Sequence, residues 1–116
     1  MNNWLKGLTL AIAIAVPLFA GAAQPTKIHL EEFNGYFAAK ETLAGLKPGE
    51  YEFVVTNKSG KKVGFELQDL KTQRRLDMFP LDPGESRSSV VKINEGGFRY
   101  RCPINPTPWY EVSVGQ

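Results

Sequence analysis

Cys102 is the only cysteine of the chain and His29 the only histidine, so thiolate or imidazole chemistry has to start from these two positions. A cysteine thiolate is a nucleophile and a soft metal ligand, and a thioether such as that of Met78 can complete a soft site. Glu66 adds a hard carboxylate oxygen within the run Val63-Gly64-Phe65-Glu66-Leu67. Three readings of Cys102 stay open: a metal ligand, a reactive thiol, or a small apolar group buried beside Phe98 and Tyr100, since free cysteine is among the most buried residue types. Its companions have plain structural roles as well. Glu66 alternates away from Val63, Phe65 and Leu67, toward solvent. His29 alternates with Ile28 and Leu30 and reads as a surface residue. Met78 lies between Asp77 and Phe79 and reads as core filler.

Catalytic patterns are absent from the sequence. A cysteine and a histidine make a thiolate–imidazolium couple only where they meet, and here they fall on the first and next-to-last predicted strands. Glu31 and Glu32 are adjacent, so they point to opposite sides of a strand. Ser86, Ser88 and Ser89 follow a turn and read as an outward face. Gly96-Gly97 is placed to close a hairpin rather than to open a phosphate-binding helix. The chain is not expected to be an enzyme.

The elements that position these residues read as strands. Tyr51, Phe53 and Val55 alternate with Glu50, Glu52 and Thr56; Val63, Phe65 and Leu67 alternate with Gly64, Glu66 and Gln68; Phe98, Tyr100 and Cys102 alternate with Arg99 and Arg101. Turn signals separate them at Lys47-Pro48-Gly49, Asn57-Lys58-Ser59-Gly60, Asp82-Pro83-Gly84 and Asn94-Glu95-Gly96-Gly97, where proline sets φ and glycine accepts φ > 0. Period-two alternation with regular turns predicts an all-β sandwich or barrel. Further strands are expected over Lys27–Phe33, Ser86–Ile93 and Trp109–Val114. Lys40–Leu46 reads as a short edge strand or one helical turn, and Gln68–Leu81 as an irregular crossover between the sheets.

The first residues read as an address. Lys6, the apolar stretch from Leu8 to Ala20 and the small residues Ala20-Gly21-Ala22-Ala23 fit a secretory signal peptide over 1–23, cleaved to leave one domain over 24–116. The apolar stretch is short of the ~20 residues a membrane-spanning helix needs. Export implies a periplasmic location. One cysteine forms no internal disulfide, so ordinary packing must hold the core. A formal net charge of +2 on the whole chain argues against nucleic acid as a partner.

Phe37-Ala38-Ala39-Lys40-Glu41 and Leu46-Lys47-Pro48-Gly49-Glu50-Tyr51-Glu52-Phe53-Val54-Val55-Thr56-Asn57 resemble the front half of a cupredoxin. Leu81-Asp82-Pro83-Gly84-Glu85-Ser86, Gly97-Phe98-Arg99-Tyr100-Arg101-Cys102-Pro103 and the last strand resemble its back half. The nearest likeness is to the cupredoxin-like domain of EfeO-type periplasmic iron-uptake proteins, over nearly the whole exported chain. This resemblance implies a cupredoxin-like Greek-key β-sandwich of about seven strands, a metal ion (copper or iron) as ligand, and Cys102 and Glu66 as site residues. It departs where the family places its histidine ligands, at Val63 and Gly64 and within Pro103–Pro108. A type 1 blue copper centre uses two imidazoles and a thiolate, so a monomer with one histidine does not build one. The family's early cysteine is replaced by Phe37 or a neighbour.

Two functions are therefore expected from different classes. One is a periplasmic protein handling copper or iron by binding, trafficking or electron transfer at a non-blue site of Cys102, with Glu66, Met78 or a partner completing it. The other is a metal-free cupredoxin-fold module that docks to a periplasmic or inner-membrane protein through the proline-stiffened rim Pro103–Tyr110. The metal, the partner and the oligomeric state are left open by the sequence.

Overall fold

The computed structural model describes residues 24–115, which form two four-stranded sheets without a helix. The signal peptide expected over 1–23 lies outside the described residues. The strands are β1 (Thr26–Phe33), β2 (Tyr36–Ala39), β3 (Gly49–Asn57), β4 (Val63–Asp69), β5 (Arg75–Leu81), β6 (Ser86–Ile93), β7 (Phe98–Arg101) and β8 (Tyr110–Val112). One sheet runs β2-β1-β3-β6 and the other β5-β4-β7-β8. Only β1 and β3 pair in parallel, with Glu32 opposite Asn57 at their end; the other neighbours are antiparallel.

The alternation read from the sequence becomes the inner layer of this sandwich. Phe53 and Val55 of the first sheet, and Val63, Phe65, Leu67 and Phe98 of the second, are fully buried. Rings from the two sheets meet directly: Phe53 and Phe98 have centroids 5.2 Å apart at 78°, an edge-to-face contact. Tyr100 stacks on Tyr110 at 5.2 Å and receives the edge of Phe37 at 5.1 Å. Burial of that many aromatic faces supplies the driving force that a chain without disulfides needs.

The strand count differs from the sequence reading at two places. The edge strand is Tyr36–Ala39 rather than the segment Lys40–Leu46, which is neither strand nor helix. Asn34 and Gly35, at φ of 55° and 104°, make the two-residue turn of a β1–β2 hairpin, and Asn-Gly is the usual sequence for that turn. Past β2, Glu41 is held by the first strand: its Oε1 accepts from the His29 backbone N–H at 2.6 Å and its Oε2 lies 2.5 Å from His29 Nδ1.

Gln68–Leu81 does not cross between the sheets. It is a hairpin that puts β5 beside β4 in the same sheet. Asp69 builds its turn, one carboxylate oxygen accepting from Lys71 N, Thr72 N and Thr72 Oγ1, while Gln73 takes φ of 63°. The chain changes sheet one turn later, through Asp82-Pro83-Gly84-Glu85, between β5 and β6. Ser89 on β6 donates to Asp77 on β5 and ties the two edges together, so Ser89 is buried rather than outward. The second glycine of Gly96-Gly97 likewise joins strands of different sheets; it sits at φ of 118°, and a Cβ there would lie 1.9 Å from the Val112 carbonyl oxygen.

Candidate functional site

Cys102 follows β7 directly and inherits its alternation, so its side chain lies on the core side with Phe98 and Tyr100 and is fully buried. Its Sγ accepts two backbone N–H groups, from Gly64 at 3.4 Å and from Asn105 at 3.3 Å. Gly64 is the second residue of β4 on one side and Asn105 lies in the proline-rich loop on the other. The two amides fix the position of the sulfur from both sides.

Two turns close over this end of the sandwich and are stitched together. Asn105 Nδ2 donates to the Asn34 carbonyl at 2.7 Å, and Thr107 Oγ1 donates to the Gly35 carbonyl at 2.7 Å. Gly35 is required there, because a Cβ would meet the Asn105 carbonyl oxygen at 2.9 Å. The Phe37 N–H donates to the Tyr110 hydroxyl at 3.1 Å, which fastens β2 to the far side of the same loop.

A residue not singled out in the sequence completes the picture. Glu32 follows Ile28 and Leu30 on the inward face of β1 and is fully buried. Neither of its carboxylate oxygens has a well-formed hydrogen bond. Burial pushes its carboxyl up from the ordinary 4.5 to about 7, while the Cys102 thiol and the Gly35 amide, the polar groups that approach it, favour the charged form. Its strand neighbour Asn57 has nothing to offer it. The Asn57 amide donates to Lys61 O and Leu81 O, and its oxygen accepts from Ser59 N and Ser59 Oγ. The signal for Glu32 was present in the sequence as the third inward position of the Ile28-Leu30 alternation.

Glu66 and Met78 are brought together, but not with Cys102. They are cross-strand partners on β4 and β5, on the outer face of the second sheet. Glu66 is buried rather than solvated, because Arg75 Nε at 3.3 Å, Arg101 Nε at 3.6 Å and Gln68 Nε2 at 3.2 Å surround its carboxylate. Next to them the Trp109 ring lies between Arg99 and Arg101, whose guanidinium carbons are 4.1 and 4.2 Å from its centroid. Met78 is exposed rather than in the core. It lines an apolar cleft of about 290 Å³ with Gly64, Phe79, Pro80, Pro103 and Ile104, outside the layer that covers the sulfur. His29, held by Glu41 on the outer face of the first sheet, is likewise remote from Cys102. Among the described residues no three of His, Cys, Asp and Glu gather around one point.

No protein-family model matches the sequence, and no curated protein matches it.

Proposed function

We propose that this is a periplasmic protein of cupredoxin-like fold that handles copper or iron at a non-blue site centred on Cys102. The observation that carries the reading is the cradle of the sulfur: a fully buried thiol that accepts N–H groups from two separate segments, Gly64 and Asn105. A buried thiol that served only as an apolar filler has no need of two amide donors, whereas hydrogen bonds of this kind orient a side chain that ligates a metal. The resemblance of the strand–Cys–loop–strand arrangement to cupredoxins supports the same reading, and the Greek-key order of that family is part of the proposal.

The test is anaerobic titration of the reduced protein with Cu(I) and with Fe(II), each against a competing chelator, beside Cys102→Ser. One-to-one binding that disappears in the variant is the expected result. Equal binding by both proteins overturns it.

A second reading is favoured by one feature, the apolar cleft in which Met78 and Ile104 are exposed at the mouth of the Cys102 loop. A metal-free docking module for a periplasmic or inner-membrane protein would use this face together with the Pro103–Tyr110 rim. Absence of competitive metal binding by the wild-type protein would make this the working model.

A further inference from the structure

Among the described residues, three buried side-chain atoms have no hydrogen-bond partner, and two of them are the oxygens of Glu32. The third, Arg101 Nε, has the Glu66 carboxylate 3.6 Å away. Of the buried carboxylates among the described residues, Glu66 has ion pairs and Asp69 has three hydrogen bonds, whereas the Glu32 oxygens have neither. Burying a carboxylate unpaired is costly, and buried charges are as a rule paired or bound to metals. Most neighbouring donors are already committed. The Asn57 amide is fully engaged, Lys58 N donates to the main-chain oxygen of Glu32, and the Gly64 and Asn105 amides go to sulfur. What the fold leaves facing the carboxylate is the Cys102 thiol, with the Gly35 amide beside it.

We propose that Glu32 and Cys102 are the two side-chain ligands of one closed site for a divalent cation. This deepens the reading of Cys102 as a metal ligand and rests on it. Bound as anions, a thiolate and a carboxylate carry two negative charges, which a divalent ion cancels. A monovalent ion would leave one charge uncompensated in a water-poor interior, where such a charge is expensive. One soft sulfur and one hard oxygen form a borderline donor set, suited to first-row ions such as Fe(II), Co(II) and Zn(II) rather than to Mg²⁺ or Ca²⁺, which take oxygen alone. The remaining coordination positions fall to main-chain oxygen or water.

The probe is Co(II), followed by its sulfur-to-metal charge-transfer absorption, with Zn(II) as competitor. The wild-type protein should bind one Co(II) and show the band. Glu32→Gln, which keeps the shape and removes the charge, should retain the band but weaken binding at least about tenfold. Cys102→Ser should lose the band. Should Glu32→Gln fail to fold, Glu32→Asp, which keeps the charge and withdraws the oxygens, should weaken binding in the same way. Wild-type affinity in the folded Glu32 variant overturns the role of Glu32 and leaves the Cys102 reading standing. A wild-type protein with neither band nor Zn(II) competition overturns the divalent site, and with it the Cys102 reading if the Cu(I) and Fe(II) titrations also show no binding.

Discussion

The carboxylate of Glu32, on an inner strand of one sheet, is turned toward the thiol of Cys102, at the end of an inner strand of the other, and neither of its oxygens has a well-formed hydrogen bond. The two residues are far apart in sequence and meet because the sandwich closes at this end under two stitched turns. A buried acid beside a buried thiol makes the pair sensitive to pH, to bound cations and to the closure above it.

Stability should fall with rising pH. The Glu32 carboxyl ionises near 7 in the fold and near 4.5 when free, so the folded state holds its proton more tightly than the unfolded one. The contribution is fully present below about 4.5, declines between there and about 7, and is absent above, amounting to about 3 kcal/mol at most. Urea midpoints of metal-free protein at about pH 5 and about pH 8 should therefore differ, and Glu32→Gln should remove that difference. A pH dependence identical in the variant would mean that another group is responsible.

Thiol labelling should report the closure. Cys102 is fully buried, so a reagent reaches it only when the Pro103–Pro108 loop lifts from the Asn34-Gly35 turn. Replacing Thr107 by valine and Asn105 by alanine removes both stitches, each a neutral hydrogen bond of about 1 kcal/mol. Labelling of the double variant by an aromatic disulfide should be at least about tenfold faster than that of wild type, with global stability lowered by no more than about 2 kcal/mol. Labelling at the wild-type rate would mean that the stitched turns do not gate the thiol.

Glu66→Gln should cost stability without altering metal affinity. Its carboxylate is buried under Arg75 and Arg101, but Arg75 is 56% exposed at its side chain, so solvent screens part of the interaction. A loss of about 1–2 kcal/mol is expected from chemical denaturation. Co(II) affinity equal to wild type would separate the outer ion-pair cluster from the site at Cys102, and a large loss would place Glu66 at the metal.

Gly97→Ala should be among the most damaging single changes in the chain. The added Cβ would lie 1.9 Å from the Val112 carbonyl oxygen, and the φ of 118° is one that alanine avoids. Because the contact is with backbone of β8, relief requires moving the strand that carries Tyr110 and Val112. A destabilisation above about 4 kcal/mol, or failure to accumulate as folded protein, is the expected outcome.

Strand pattern was legible in the sequence because one face of each sheet is buried. Tyr51-Phe53-Val55, Val63-Phe65-Leu67 and Phe98-Tyr100-Cys102 alternate with polar neighbours, and each triplet does lie inward. The inward position of Cys102 followed from that rule alone, as did the opposite faces of Glu31 and Glu32. The β1–β2 hairpin had its Asn34-Gly35 signal, although the neighbouring segment 40–46 drew the edge-strand expectation instead. The hairpin at Asp69–Arg75 was hidden because its turn depends on one aspartate side chain bonding three groups, and charged residues around it masked the strand that follows.

Which ligating side chains meet was decided by tertiary structure. Alternation assigns a residue to a face, but says nothing of which residue on the opposing sheet it will oppose. Glu66 and Met78 were expected to complete the site at Cys102, yet register places them together on the outer face, with Glu66 among arginines. Glu32 read only as the carboxylate facing away from Glu31, until sheet packing set it, without an ion pair, toward Cys102. Sequence fixes periodicity and turn chemistry locally, whereas the pairing of a buried charge depends on strand order and on which neighbours are already hydrogen-bonded, and those are properties of the assembled sandwich.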